Sequence, residues 1–138
     1  MDKNKVYQGT VRTGRGGAVK EMSGPDFLEG FRMFSGLEVI PGTLNIHLVE
    51  PFDLSLLKYL RFADIGWDFD PATQGIEFEG ETGVHWGRTT IVGKYPGCIL
   101  FFTWTSDVYT KSELVSPHHL RTVLGLNDGD VVEFTLAD

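Results

Sequence analysis

The chain has 138 residues, the length of one ordinary domain, and we expect a single domain over residues 1–138. Apolar residues make up 41% of the chain and charged residues 22%, which excludes a disordered chain. No run of about 18 apolar residues occurs, so no membrane-spanning helix is expected. The net charge of −7 argues against a nucleic-acid-binding protein, because such proteins neutralise phosphates with a basic surface.

The cysteine content and the N-terminus predict a cytoplasmic location. The single cysteine, Cys98, cannot form an internal disulfide, which is typical of a reducing compartment. The first five residues, Met1 to Lys5, are not followed by an apolar run, so no secretory signal is expected.

Seventeen glycines and six prolines divide the chain into short segments rich in β-branched and aromatic residues. This pattern is typical of a sheet-rich domain with tight turns. The predicted strands are Lys5–Val11, Thr43–Val49, Gly75–Glu79, Val84–Val92, Cys98–Trp104 and Val131–Leu136.

Two helices are predicted in the first half of the chain. The first begins at Gly24-Pro25-Asp26, because proline suits the first helical position. Three phenylalanines then recur at helical spacing: Phe27, Phe31 and Phe34. The second is a short helix over Leu54–Leu60 that Asp53 would cap.

A third helix has the clearest end signals. Ser116 is the predicted cap, Pro117 the first position and Gly125 the stop. The predicted apolar face consists of Leu120, Val123 and Leu124. The run from Leu124 to Phe134 then contains an Asn-Asp-Gly turn and a strand. This helix-turn-strand unit occurs in several small barrels and indicates architecture more than activity.

Residues 61–83 form an acidic excursion, predicted as part hairpin and part loop. Its acidic residues are Asp64, Asp68, Asp70, Glu77, Glu79 and Glu81. The segment is interpreted either as a solvated decoration or as a lid or partner surface.

Several familiar catalytic motifs do not occur. The sequence has no P-loop and no nucleophile elbow. Its four histidines lack zinc-ligand spacing and are interpreted as surface or core residues: His47, His85, His118 and His119.

A glycine-rich segment, Thr13-Gly14-Arg15-Gly16-Gly17-Ala18, directly follows the first predicted strand. Glycines permit positive φ and let backbone N–H groups converge on an anion such as phosphate. Arg15 would add charge, and Arg12 and Lys20 lie close enough in sequence to form a local basic pocket. An ordinary turn after a strand remains the alternative.

The segment from Pro41 to Leu48 carries a candidate metal site. Thr43 and Asn45 are two residues apart, so on a strand they share one face. The opposite face is apolar: Leu44, Ile46 and Leu48. Two neutral oxygen ligands suit a hard cation such as Mg²⁺, with phosphate and water completing its shell. The alternative is an ordinary strand with one wet face.

In this order, three segments resemble the archaeal CTP-dependent riboflavin kinase family. They are the glycine-rich loop, the strand Pro41-Gly42-Thr43-Leu44-Asn45, and the run from Pro117 to Asp130, which reads Pro-x-x-Leu-Arg-x-x-Leu-Gly-Leu-x-Asp-Gly-Asp. The resemblance covers residues 5–50 and 97–136. It implies a mainly β fold, a six-stranded cradle-loop barrel of the riboflavin-kinase type with two or three short helices.

The resemblance also implies an activity, in which CTP phosphorylates riboflavin to FMN with Mg²⁺. Thr43 and Asn45 would hold the metal, and Thr105 and Glu113 would contact the flavin. The nucleotide-binding residues would be Gly14, Arg15, Gly16, Gly17, Ala18, Val19, His118, His119, Leu120 and Arg121. The start of the third helix would complete the nucleotide pocket. No residue is assigned as the catalytic base.

Two departures from the family pattern keep other functions open. Ala18 stands where the family usually has a third glycine, and Thr105 lacks the family's usual neighbours. A non-catalytic nucleotide- or flavin-binding barrel, or a related small-molecule kinase, is therefore an alternative. A dimeric DNA-binding barrel of the swapped-hairpin type is another, and the net charge argues against it.

Overall fold

The computed structural model describes residues 5–13, 25–40, 42–66, 70–105, 107 and 109–137. The strands there are β1 (Tyr7–Arg12), β2 (Leu44–Leu48), β3 (Lys58–Arg61), β4 (Gly83–Ile91), β5 (Tyr95–Phe102), β6 (Lys111–Val115) and β7 (Val131–Leu136). The helices are α1 (Pro25–Ser35) and α2 (Leu120–Leu124), with short 3₁₀ turns at Leu54–Leu56, Phe62–Ile65 and Pro71–Gln74. Among these described helices, none has both the length and the apolar character needed to cross a membrane.

Six of the strands close into an antiparallel barrel in the order β4-β5-β6-β2-β1-β7. The barrel closes because β4 pairs with β7 at Thr89–Ile91. The first residues of β4, Gly83–Trp86, pair instead with β3, which extends the sheet beyond the ring. The predicted six-stranded barrel with short helices is therefore confirmed.

The barrel interior is filled by apolar side chains that alternate along the strands. On β2, Leu44, Ile46 and Leu48 are buried, as the alternation predicts. They pack with residues of the other strands, of α2 and of the connection after β2: Val11, Phe52, Ile91, Ile99, Phe101, Leu114, Leu120, Val132 and Phe134. Full burial of a side chain of this size contributes about 1.5–3 kcal/mol, so this interior is the main stabilising element.

A second apolar cluster lies on the outer surface of β4 and β5. Phe31 of α1 is only 2% exposed and packs there against Trp86 and Leu100. The cluster also contains Val39, Phe62, Val84, Cys98, Phe102 and Val115. Helix α1 begins at Pro25 as predicted, and Phe31 is on its buried face. The side chains of Phe27 and Phe34 lie outside the described part.

The strand predicted at Gly75–Glu79 is wrong. Gly75 ends the 3₁₀ turn Pro71–Gln74 in a left-handed conformation (φ 72°), and residues 76–79 form no strand. Ile76 and Phe78 are partly buried and alternate with two exposed glutamates. This alternation has the period of a strand, but residues 76–79 pair with no described strand. The acidic excursion is instead the connection between the paired strands β3 and β4.

The sequence pattern missed two strands and placed the start of a third strand too late in the chain. Strands β3 and β6 were not predicted, and β5 begins at Tyr95 rather than Cys98. Residues 44–48 and Val131–Leu136 lie within the bounds predicted for β2 and β7.

The predicted helix Leu54–Leu60 is also wrong, although its cap is correct. Asp53 accepts a hydrogen bond from the N–H of Ser55, but only Leu54–Leu56 forms a 3₁₀ turn. Leu57 is extended (φ −108°, ψ 161°) and leads directly into β3.

Helix α2 begins at Leu120 rather than next to Ser116. His119 occupies the N-cap position, while the Ser116 hydroxyl accepts from the N–H of His118 in a local turn. Gly125 ends the helix in a left-handed conformation (φ 62°), as predicted. The predicted apolar face is partly wrong, since Leu120 is buried but Val123 is 43% exposed.

Candidate functional site

The predicted metal residues lie on the outer face of the barrel. Thr43 and Asn45 are partly buried, and the β2 residues between and beyond them point into the interior. Asn45 is paired in register with Arg12 of β1 on one side and with Glu113 of β6 on the other. Directly opposite residues of an antiparallel pair share a face, so these three side chains lie in one cross-strand row.

Thr43 and Glu113 are joined by a hydrogen bond between β2 and β6. The Thr43 hydroxyl donates to Oε1 of Glu113, which is partly buried. A hydroxyl that donates its proton still has lone pairs with which to accept or to ligate a cation. The site therefore gathers a hydroxyl, an amide and a carboxylate on one face, and such oxygen donors fit Mg²⁺.

The described residues contain no conventional metal cluster. Among the residues that the structure describes, no group of three or more His, Cys, Asp or Glu side chains is arranged to hold an ion.

The two predicted flavin residues occupy different parts of the fold. Glu113 lies within β6 and pairs with Leu100 of β5, a member of the outer apolar cluster. Thr105 is partly buried in the connection after β5, where its N–H donates to the carbonyl of Phe102 over 3.1 Å. Glu113 therefore lies beside the candidate metal residues, and Thr105 lies past the end of the neighbouring strand.

The predicted nucleotide loop, Gly14 to Val19, lies outside the described residues. Thr13, the residue that precedes this loop, is described. The hydroxyl of Thr13 donates to Asp128, and Arg121 Nη2 donates to the other oxygen of the same carboxylate over 2.7 Å. Arg121 also donates to the backbone carbonyl of Arg12 over 3.3 Å. Thr13 and Arg121 of helix α2 therefore bind the same carboxylate, that of Asp128.

The other predicted nucleotide residues have different environments. Leu120 is 5% exposed with its side chain in the barrel interior, so only its backbone faces outward. His118 packs edge-on against Tyr95 at 5.1 Å, and His119 Nδ1 lies 2.7 Å from the Thr122 hydroxyl. Both histidine side chains are exposed.

The surroundings lower the pKa values of two groups in this region, Asp128 and His47. Hydrogen bonds from Thr13 and then Arg121 hold the pKa of Asp128 below its usual value, so the carboxylate stays ionised. Burial lowers the pKa of His47, and the positive charges of Arg12 and Lys111 lower it further, while Asp107 opposes them. The histidine is therefore held neutral beside a positively charged edge.

The sequence did not predict the role of Asp128. Its Asn-Asp-Gly context indicated only a turn, and that turn is present, with the Asp130 N–H donating to the Asn127 carbonyl over 3.0 Å. No local signal shows that the carboxylate reaches Thr13, because the two residues are far apart in sequence.

Comparison with known proteins connects this site to a family. A family model named CTP-dep_RFKase, described as a domain of unknown function, DUF120, matches residues 11–136. A protein of Methanospirillum hungatei named riboflavin kinase is 31% identical over 99% of this chain. Proteins of the same name from Thermofilum pendens and Sulfurisphaera tokodaii are 32% and 29% identical over 95% and 91% of the chain.

The lengths of these relatives differ. The matched region covers 60% of the Methanospirillum protein and 58% of the Thermofilum protein, but 90% of the Sulfurisphaera protein. The family model spans nearly all of the barrel, from the end of β1 to the end of β7. The chain therefore belongs to the CTP-dependent riboflavin kinase family.

Proposed function

We propose that this protein is a riboflavin kinase that transfers a phosphoryl group from CTP to riboflavin and releases FMN and CDP. Family membership and three relatives named riboflavin kinase support this activity. The observation that carries it is the hydrogen bond from Thr43 to Glu113, with Asn45 opposite Glu113 in the same row. A candidate metal ligand and a candidate flavin residue are thus in direct contact.

Thr43 and Asn45 would hold Mg²⁺ through their side-chain oxygens. When bound, the ion would supply positive charge that offsets the negative charge developing during transfer. Glu113 accepts a hydrogen bond from the Thr43 hydroxyl, which orients that hydroxyl and directs its lone pairs away from the carboxylate.

The nucleotide phosphates would bind the glycine-rich loop, Gly14 to Val19, with His118, His119, Leu120 and Arg121 on the adjoining segment. Backbone N–H groups suit this task, since glycines leave them accessible to an anion. Leu120 would contribute its backbone only, because its side chain packs in the interior. The tie between Thr13, Asp128 and Arg121 supports a common site for the two segments.

Riboflavin would contact Thr105 and Glu113. In the reaction, an oxygen of the ribityl terminal hydroxyl attacks the γ-phosphorus, the bond to the CDP oxygen breaks, and the hydroxyl proton is released. Phosphoryl transfer requires little covalent chemistry from the protein, so positioning and electrostatics are the main contributions of these residues. We assign no general base.

The proposal also includes a single domain and a cytoplasmic location. The lone cysteine, Cys98, is a free thiol and is compatible with a reducing compartment.

The experiment is a direct assay. Purified protein is incubated with riboflavin, Mg²⁺ and each nucleoside triphosphate in turn, and FMN is measured by chromatography. We expect FMN with CTP and a large loss of product in Asn45→Ala, whose fold is checked by thermal melting. Absence of FMN with every triphosphate would reject the proposal, and tight CDP or riboflavin binding without turnover would favour a non-catalytic barrel.

A further inference from the structure

Arg12 is the last residue of β1, beside the candidate metal residue Asn45, and in sequence it comes two residues before the glycine-rich loop. It pairs in register with Asn45. Opposite residues of an antiparallel pair have Cβ atoms about 4.5–5.5 Å apart, so the arginine stem starts next to the Asn45 side chain. Thr13 follows directly, and the loop begins one residue later.

Arg12 differs from most arginines of the described chain because its guanidinium makes no close ion pair with a described carboxylate. Arg32 pairs with Glu29, Arg61 with Asp64 and Arg121 with Asp128, at 2.6–2.8 Å. For the exposed guanidinium of Arg12, no hydrogen bond or ion pair is found with another described residue. Its guanidinium donors therefore have no described partner to displace, although its charge already lowers the pKa of Asp128.

We propose that Arg12 contacts the phosphates of the nucleotide and helps to set the affinity for the phosphoryl donor. The inference rests on the proposed function, and it adds a residue that the family resemblance does not assign. The ligand chemistry is that of a polyphosphate, because a guanidinium offers several donors in a fixed plane that match phosphate oxygens.

The charges near Arg12 are consistent with an anion in this position. Asp128 accepts hydrogen bonds from Thr13 and Arg121, and the positive charge of Arg12 also lowers the pKa of this carboxyl. Glu113 lies one strand beyond Asn45 and accepts from Thr43. Lys111, two residues before Glu113, adds another positive charge along the same edge. Asp107 near Lys111, together with Glu113 and Asp128, offsets part of this positive charge. Arg12 is the cation of this group whose guanidinium makes no hydrogen bond to a described residue, which leaves its donors for a polyanion.

The test measures steady-state kinetics of Arg12→Ala, Arg12→Lys and Arg88→Ala with CTP and riboflavin varied separately. We expect Arg12→Ala to raise the KM for CTP about tenfold, the lower end for a charged hydrogen bond at an exposed site, and to leave the KM for riboflavin unchanged. Arg12→Lys should recover part of the affinity, since it keeps the charge but not the planar fork.

Arg88 is the matched control. It is an exposed arginine on the same outer face, but it lies on β4 and pairs with Cys98, three strands from Asn45. Neighbouring strands are about 4.8 Å apart, so a guanidinium there is remote from the candidate site. Arg88→Ala should leave both KM values unchanged, and thermal melting checks that every variant folds.

The outcomes separate this inference from the proposed function. Wild-type turnover with an unchanged KM for CTP in Arg12→Ala overturns the role of Arg12 and leaves the kinase intact. Equal changes in both KM values also overturn it, because they indicate a general disturbance of the fold. If the wild type forms no FMN, calorimetry with CDP and Mg²⁺ decides: weaker binding to Arg12→Ala supports the phosphate contact, and equal or no binding rejects it.

Discussion

The outer face of the barrel has two halves that differ in what covers them. On β4 and β5 the outward side chains are mostly apolar, including Val84, Trp86, Cys98 and Leu100, and Phe31 of helix α1 packs in this cluster. On β1 and β2 the outward residues include Arg12 and Asn45, which are polar and at least partly exposed. We refer to these as the covered half and the polar half.

One cross-strand row passes through both halves. It runs from Trp86 through Leu100, Glu113 and Asn45 to Arg12. The same ladder of backbone hydrogen bonds therefore supports buried packing at one end and the candidate site at the other. The candidate site therefore gains precise positions from strands that the covered half and the barrel interior hold in place.

The largest effect should come from emptying the covered half. Phe31→Ala removes a ring that is 2% exposed, and such substitutions cost about 3–5 kcal/mol of unfolding free energy because they leave a cavity. Urea unfolding measures the loss. Met33→Ala is the control on the same helix, since Met33 is 76% exposed and should change stability very little. Equal stability of the two variants would contradict the packing of α1.

The second-largest effect should come from a substitution at the candidate metal site of the polar half. Thr43→Val keeps the side-chain shape but removes the hydroxyl that donates to Glu113. If this hydroxyl belongs to the metal site, the Mg²⁺ concentration for half-maximal FMN formation should rise about 10- to 100-fold, as for other residues around metal sites. Titration of activity with Mg²⁺ measures the shift.

The matched control for that substitution is Thr90→Val. Thr90 is likewise a partly buried threonine, but it lies within β4, where it pairs with Thr135. The Mg²⁺ concentration for half-maximal FMN formation should be the same in the Thr90→Val variant as in the wild type. An unchanged requirement in Thr43→Val as well would remove Thr43 from the metal site.

The sequence predicted strands well where one face is buried. On β2 the alternation of Leu44, Asn45 and Ile46 correctly assigned the faces, because a period of two is meaningful only for a strand with one apolar side. In β6, Ser112 is buried while Lys111 and Glu113 carry charge, so its first three residues show no apolar alternation. At Gly75–Glu79 the alternation was present, but no partner strand was.

The candidate site was predictable only in pieces. Local spacing indicated that Thr43 and Asn45 share a face, and the resemblance supplied Glu113. The hydrogen bond from Thr43 to Glu113 joins residues 70 positions apart, and the tie from Thr13 to Asp128 spans 115. Such contacts depend on the closure of the barrel, and patterns among residues that are neighbours in sequence carry no information about that closure.

The smallest effect concerns the covered half at high pH. Cys98 has no exposed surface, and burial raises the pKa of its thiol to about 12, although Arg88 opposes the shift. The folded state therefore disfavours the thiolate. The resulting stabilisation is complete below the pKa of the unfolded thiol, about 8.5, and is lost as the pH rises towards the folded value.

Comparison of wild type with Cys98→Ala isolates this thiol. Between pH 8 and pH 10 the wild type should lose about 1–2 kcal/mol more unfolding free energy than Cys98→Ala, as measured by urea unfolding at each pH. Tyr59, whose pKa burial and Glu81 raise to about 12, is present in both proteins, so its contribution cancels. Equal pH dependence of the two proteins would mean that Cys98 ionises freely, and the packing of the covered half over β5 would then be looser than the structure indicates.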